Sequence, residues 1–161
     1  MFSDNDCISI FGIRGSGKST LTKNILQYYR NKNIIIFDTL NEYHGDDYIY
    51  FNDFNSFSDF IIENENAKNQ IIVIQIPDNP TIDILDEYLE FCYNWENCLI
   101  VIEEAHEFGG VHKIPTYLRI IALKGRHKNI NYIATTQRIA EVHKTIFSQS
   151  HHKFSSYTDV D

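Results

Sequence analysis

Several things are scarce in this chain, and each scarcity excludes something. Cysteine occurs three times, as Cys7, Cys92 and Cys98, with no C-x-x-C or other metal-ligand spacing. That excludes a cysteine metal site and a dithiol redox motif. Cys7 and Cys98 each open an apolar run and read as buried thiols, which suits a reducing cytosol. No apolar run approaches the roughly 20 residues of a membrane span. The start, Met1-Phe2-Ser3-Asp4-Asn5-Asp6, is polar and acidic, unlike a signal peptide. The seven histidines include His151-His152 and His106/His112, but none has a convincing set of metal partners. Internal repeats are missing, and so is any linker long enough to divide the chain.

What is present is a globular composition of 161 residues, 43% hydrophobic and 14% aromatic, enough for one domain spanning 1–161 with a real core. Charge is unevenly spread. Residues 1–110 hold 6 Lys+Arg and 19 Asp+Glu, a net of −13, whereas residues 111–161 hold 8 and 3, a net of +5 within the overall −8. Such asymmetry marks a face for a polyanion or a neighbouring subunit, or else a solvated surface carrying reactive arginines. Strand-like runs near 7–11, 33–38, 71–76, 98–103 and 131–135, with a short one at 48–51 and a last one near 152–156, alternate with helical patterns near 18–31, 56–65, 81–94, 114–124 and 139–145. Alternation of this kind predicts an α/β fold with a mainly parallel central sheet between helical layers. Ile71-Ile72-Val73-Ile74-Gln75-Ile76 and Leu99-Ile100-Val101-Ile102 read as strands buried on both faces.

The most informative stretch is Gly12-Ile13-Arg14-Gly15-Ser16-Gly17-Lys18-Ser19, a G-x-x-x-x-G-K-S phosphate-binding loop between a strand and a helix. Its glycines permit a tight turn that turns successive N–H groups toward an anion, and the following helix adds its positive dipole end. Lys18 can reach β- and γ-phosphates, Ser19 can ligate Mg2+, and Arg14, Ser16 and Thr20 complete the expected nucleotide contacts. A second signal is Leu99-Ile100-Val101-Ile102-Glu103-Glu104, a buried strand that delivers two acids to its C-terminal end, the Walker B pattern. Glu103 is expected to hold Mg2+, directly or through water, and Glu104 to polarise the attacking water. Asn131-Tyr132-Ile133-Ala134-Thr135-Thr136-Gln137-Arg138 ends a strand in hydroxyls and an amide, and Gln137 can orient water or report the nucleotide state. Arg126 can serve as an arginine finger on a neighbour's nucleotide, with Arg119 and Arg138 as competing candidates. Asp38 and Glu42 either add acidity near the metal or cap a turn. Tyr28-Tyr29 and the aromatics at 43–60 read as packing. His106 follows the acids and can couple the site to a moving loop.

Taken in this order and spacing, Gly12–Ser19, Ile102-Glu103-Glu104-Ala105-His106, Gly125-Arg126-His127 and Ala134-Thr135-Thr136-Gln137-Arg138 resemble the FtsK/HerA superfamily of DNA-pumping ATPases. Ala140-Glu141-Val142-His143-Lys144, Phe147-Ser148-Gln149-Ser150 and Phe154 resemble the segment that follows the sensor glutamine, and the small size resembles viral genome-packaging ATPases. The resemblance implies a P-loop NTPase domain using ATP and Mg2+, with Lys18 and Ser19 on the nucleotide, Glu103 and Glu104 as Walker B acids, Gln137 as sensor and Arg126 as a trans finger. It also implies a homo-oligomeric ring, a hexamer, around double-stranded DNA held by its backbone through residues such as Lys113, Lys124 and Lys128. A capsid or portal protein would be a further partner, and the setting would be cytoplasmic or virion-associated. Departures are Glu103, where the family carries Asp, and the early end of the chain. Two other readings stay open: an ATP-dependent assembly or secretion protein on the same core, and a nucleotide switch with little turnover.

Overall fold

The computed structural model describes residue 3, residues 5–29 and residues 31–156. Seven strands form one sheet: β1 (Ile8–Gly12), β2 (Asn33–Asp38), β3 (Ile49–Phe51), β4 (Ile71–Gln75), β5 (Cys98–Ile102), β6 (Asn131–Thr136) and β7 (His152–Ser156). Their order is β3-β4-β2-β5-β6-β1-β7, and every neighbouring pair is parallel. The Ile-rich composition explains this. All six residues of β2 and all five of β5 are buried, as strands covered on both faces require.

Side chains alternate along each strand and so feed two cores. Ile35, Phe37, Ile72, Ile74, Ile100, Ile102 and Tyr132 join residues of helices α2 (Phe54–Glu63), α3 (Ile82–Trp95), α4 (Thr116–Lys124) and α5 (Lys144–Ser148). Ile8, Ile10, Ile34, Ile36, Val73, Leu99, Val101 and Ile133 pack with Ile25, Leu26 and Tyr29, which belong to α1 (Lys18–Leu26) and the 3-10 turn after it. The result is a three-layer α/β/α arrangement. Helix starts are chemically marked: Asp53 accepts from Ser56 N–H at 2.8 Å ahead of α2, and Thr81 accepts from Ile84 N–H at 3.4 Å ahead of α3.

Three helices differ from expectation. The first tightens into a 3-10 turn at Gln27–Tyr29, and residue 30, within the expected helix, lies outside the described residues. The helix expected from 114 begins at Thr116, because Pro115 disfavours helical backbone at Ile114. The helix expected at 139–145 is two pieces, a 3-10 turn Ile139–Glu141 and then α5. Between them Val142 is extended and buried in the core, and the His143 side chain caps α5 by accepting from Thr145 N–H at 3.2 Å.

Because the strands are parallel, the C-terminal ends of β1, β5 and β6 open at one pole. Strands β5 and β6 lie between β1 and β2, so the chain leaves β1 and β5 in a crevice at the sheet's C-terminal edge, where open α/β sheets bind ligands.

Candidate active site

The site is built first from the turn between β1 and α1. Gly15 and Gly17 have φ of 77° and 86°, a left-handed backbone that strains any L side chain. This turn delivers Lys18 as the first residue of α1. Its Nζ curls back to donate to the carbonyls of Gly12 at 2.9 Å and Ile13 at 3.3 Å, and lies 3.7 Å from Glu104 Oε1. The Ser16 hydroxyl is buried with no hydrogen-bond partner. A buried orphan hydroxyl inside a glycine turn, with an ammonium beside it, fits the phosphates of a nucleotide. The cavity over the turn has a volume of about 680 Å3. Arg14, Gly15, Gly17, Lys18, Ser19 and Thr20 form one wall, and Lys23, Leu40, Glu42, Glu104 and Gln137 the others.

Glu104 enters this cavity because the backbone turns sharply just past β5. Its φ of 47° and ψ of 57° are left-handed, an unfavourable conformation for a glutamate that its neighbours hold in place. Its N–H donates to Thr135 Oγ1 at 3.2 Å. Its Oε2 accepts from Gln137 N–H at 2.9 Å and lies 3.2 Å from His106 Nδ1, which is also 3.0 Å from Thr136 Oγ1. One carboxylate thus touches the phosphate-loop lysine, the backbone of Gln137 and the turn that follows β5.

Glu103 is placed differently from the sequence expectation. It does not line the cavity. It is 2% exposed, and each carboxylate oxygen is taken by a hydroxyl: Tyr43 Oη donates to Oε1 at 2.5 Å, and Thr135 Oγ1 donates to Oε2. Glu103 thus stands behind the cavity wall, where the expected Mg2+ contact would run through water, or directly only if the two hydroxyls let go. The cause is the left-handed turn at Glu104 just past β5, which aims its side chain away from that of Glu103. Burial raises the Glu103 carboxyl above its ordinary range despite the two donated hydrogen bonds. Burial, with the nearby Glu103 charge, likewise raises the Tyr43 phenol. Asp38 resolves as a cap: it accepts from Leu40, Glu42 and Tyr43 N–H at 3.3, 3.1 and 3.0 Å. Lys23 reaches the same loop, donating to the Glu42 carbonyl at 2.8 Å with its ammonium 4.9 Å from the Tyr43 ring centroid.

The arginine candidates lie elsewhere. Arg126 sits in the 3-10 turn ahead of β6, at the opposite pole, exposed beside a separate hollow with Cys7 and Ser150. It cannot reach the cavity of its own chain. Arg138 pairs with Glu141 on the surface at 3.3 Å, and Arg119 is exposed on α4. Among the described residues no group of three or more His, Cys, Asp or Glu could hold a metal ion. Sequence reasoning missed the roles of Tyr43, Lys23 and Leu40, and it noted the Thr135 hydroxyl only as part of a polar strand end, not as a donor to Glu103. The one available signal was the Asp38 cap, which fixes where residue 43 falls.

Glycine-rich turn, strand-end carboxylate and the Gln137 amide at one edge of an all-parallel sheet define a P-loop NTPase fold. The sequence profile of the helicase HerA central domain matches residues 6–107, and the chain belongs to that family. Comparison with curated protein sequences found no match. Among solved structures, the genome packaging NTPase B204 from Sulfolobus turreted icosahedral virus 2, in complex with ATP-gammaS, superposes with a TM-score of 0.73 at 18% identity, covering 98% of this chain and 76% of that one. The N-terminal domain of zonular occludens toxin from Neisseria meningitidis gives 0.61 at 12%, covering 96% and 78%. The cytoplasmic domain of EssC gives 0.61 at 16%, covering 98% of this chain and 32% of that one. At these identities the likeness is one of fold. Among the described residues no helix is long and apolar enough to cross a membrane.

Proposed function

We propose that the chain is a Mg2+-dependent ATPase that translocates double-stranded DNA, with viral genome packaging as its setting, acting as one P-loop domain over 1–161. The observation that carries the reading is the placement of Glu104 in a cavity with Lys18 and Ser19 in a chain of the HerA family. Lys18 and the N–H groups of residues 14–20 would bind the ATP phosphates. The Ser19 hydroxyl would hold Mg2+, which supplies charge neutralisation of the polyphosphate when bound. Glu104 polarises the attacking water and takes its proton; the Gln137 N–H and Lys18 hold that carboxylate in place. Because Gln137 both lines the cavity and grips Glu104, it is suited to report whether a γ-phosphate is present. Arg126 would act only from a neighbouring copy in a ring, the hexamer expected of the family, which makes assembly a condition of full activity. DNA would be held by its backbone, and a capsid or portal protein would be the further partner. Of the lysines expected on DNA, Lys113 lies at the cavity pole, whereas Lys124 ends α4 and Lys128 pairs with Glu96 at 2.6 Å.

The test is ATP hydrolysis with and without long duplex DNA, with light scattering for mass. DNA-stimulated turnover by a nucleotide-dependent ring is expected. Glu104→Gln and Lys18→Ala should lower kcat by about 100-fold or more. Wild-type turnover in either variant sinks the site assignment, and unstimulated turnover at every duplex length favours an assembly protein or a switch.

A further inference from the structure

A second cleft opens at the same pole as the nucleotide cavity, with a volume of about 640 Å3. Its charged lining is of one sign: Lys113, Arg119 and Lys144, joined by His112 and His143, with no Asp or Glu on its walls. In a chain of net charge −8 this concentration needs a reason. Lys113, Arg119 and Lys144 are all exposed, and none takes part in an ion pair among the described residues. Thr116 and Thr145 line the same space. Beside it, Asp83, Asp86, Glu87 and Glu90 on α3 line an acidic hollow with Tyr117. A polyanion can follow the basic wall, and α3 repels it at the edge.

The walls of this cleft are made by the two chain segments that leave the nucleotide cavity. One runs from Glu104 through the 3-10 turn Ala105–Phe108 into a tight turn closed by Gly110 N–H to Lys113 O at 3.1 Å and the return bond at 3.3 Å. That turn needs Gly109, since a Cβ there would stand 2.5 Å from the Lys113 carbonyl oxygen. The other segment runs from Gln137 through Ile139–Glu141 to the His143 cap of α5. At their origin the two are tied by the Gln137 N–H bond to Glu104.

We propose that this cleft is where the chain grips the phosphate backbone of double-stranded DNA, and that its two walls transmit the state of the nucleotide cavity to that grip. This rests on the DNA reading above and adds its location and its mechanical link. Exposed cations on a short turn, Lys113, and in the first turns of α4 and α5, Arg119 and Lys144, give contacts that are independent of sequence and dependent on salt.

The experiment is fluorescence anisotropy of a labelled duplex across a salt series, on wild type, on Lys113→Gln with Lys144→Gln, and on a control with Lys68→Gln and Lys153→Gln, two exposed lysines outside the cleft. The cleft variant should lose about one unit of salt slope per lysine, with Kd near 0.1 M salt rising about tenfold for each. The control should bind as wild type. Unfolding temperature and basal hydrolysis without DNA should be unchanged in the cleft variant, and stimulation by DNA should fall. Equal losses in cleft and control variants overturn the location while leaving DNA binding in place. A wild-type chain that binds no duplex overturns the DNA reading and the inference together.

Discussion

At the scale of single residues, the two adjacent acids have separate work because one strand end points them apart. Glu104 stands in the cavity; Glu103 stands behind it, between the Tyr43 and Thr135 hydroxyls. Glu103 therefore joins the loop after β2 to the end of β6. Tyr43→Phe removes one of its two donors. Amide hydrogen exchange of the nucleotide-free protein should then quicken both at 39–45 and at 135–137; faster exchange confined to 39–45 would show that no link passes through Glu103. A pH dependence also follows. Burial raises the folded-state pKa of Glu103 above its ordinary 4.5, so the folded chain binds the proton more tightly than the unfolded chain. Its contribution to stability is full at low pH and is lost as pH rises from about 4.5 through the folded value. Glu103→Gln, which carries no charge, should gain stability relative to wild type across that window in urea titrations at a series of pH values. A pH-independent difference would mean that Glu103 is not held as a raised, buried carboxyl.

At the scale of elements, the strands aim the chemistry and the loops after them adjust it. Asp38 gathers three N–H groups at the end of β2, and that gathering presents Leu40 and Glu42 to the cavity and turns Tyr43 inward. Charged acceptors are worth about 1.5–3 kcal/mol per hydrogen bond, so Asp38→Ala should cost at least about 2 kcal/mol in denaturant unfolding and weaken binding of a fluorescent ATP analogue. Unchanged nucleotide affinity would show that the loop does not shape the site. These elements were legible to different degrees. The phosphate turn and β5 were readable because a fixed spacing and a continuous apolar run record backbone geometry directly. The position of β7 at 152–156 was also readable, by its place after a helical stretch. The break at Val142 was not, because a local helical pattern carries no sign of the core that pulls that valine inward. Nor was the burial of Glu103, since two consecutive acids look alike until the left-handed turn past β5 sends them to different sides. Tyr43 read as packing because its partner lies 60 positions away in sequence.

At the scale of the whole molecule, the two poles of the sheet differ. One pole holds the nucleotide cavity, the basic cleft and a rim of exposed apolar residues, Ile13, Leu40, Val111 and Ile139. Arg126 lies at the other. The proposed head-to-tail ring would reconcile the two, because a heterologous contact sets one copy's cavity against a different surface of the next. In such a ring the arginine would work in a neighbour's site, and the two halves of one site would belong to different chains. Two inactive variants can complement each other under that arrangement. Lys18→Ala damages a chain's own cavity and leaves its Arg126 intact; Arg126→Ala does the reverse. Mixed in equal amounts under conditions where subunits exchange, about one interface in four should pair an intact Lys18 with an intact Arg126, and hydrolysis should return toward about a quarter of wild type. Activity in the mixture no greater than the mean of the two variants alone, in a ring shown by light scattering to have formed, would remove Arg126 from the site and leave Arg119 and Arg138 to be tested in its place.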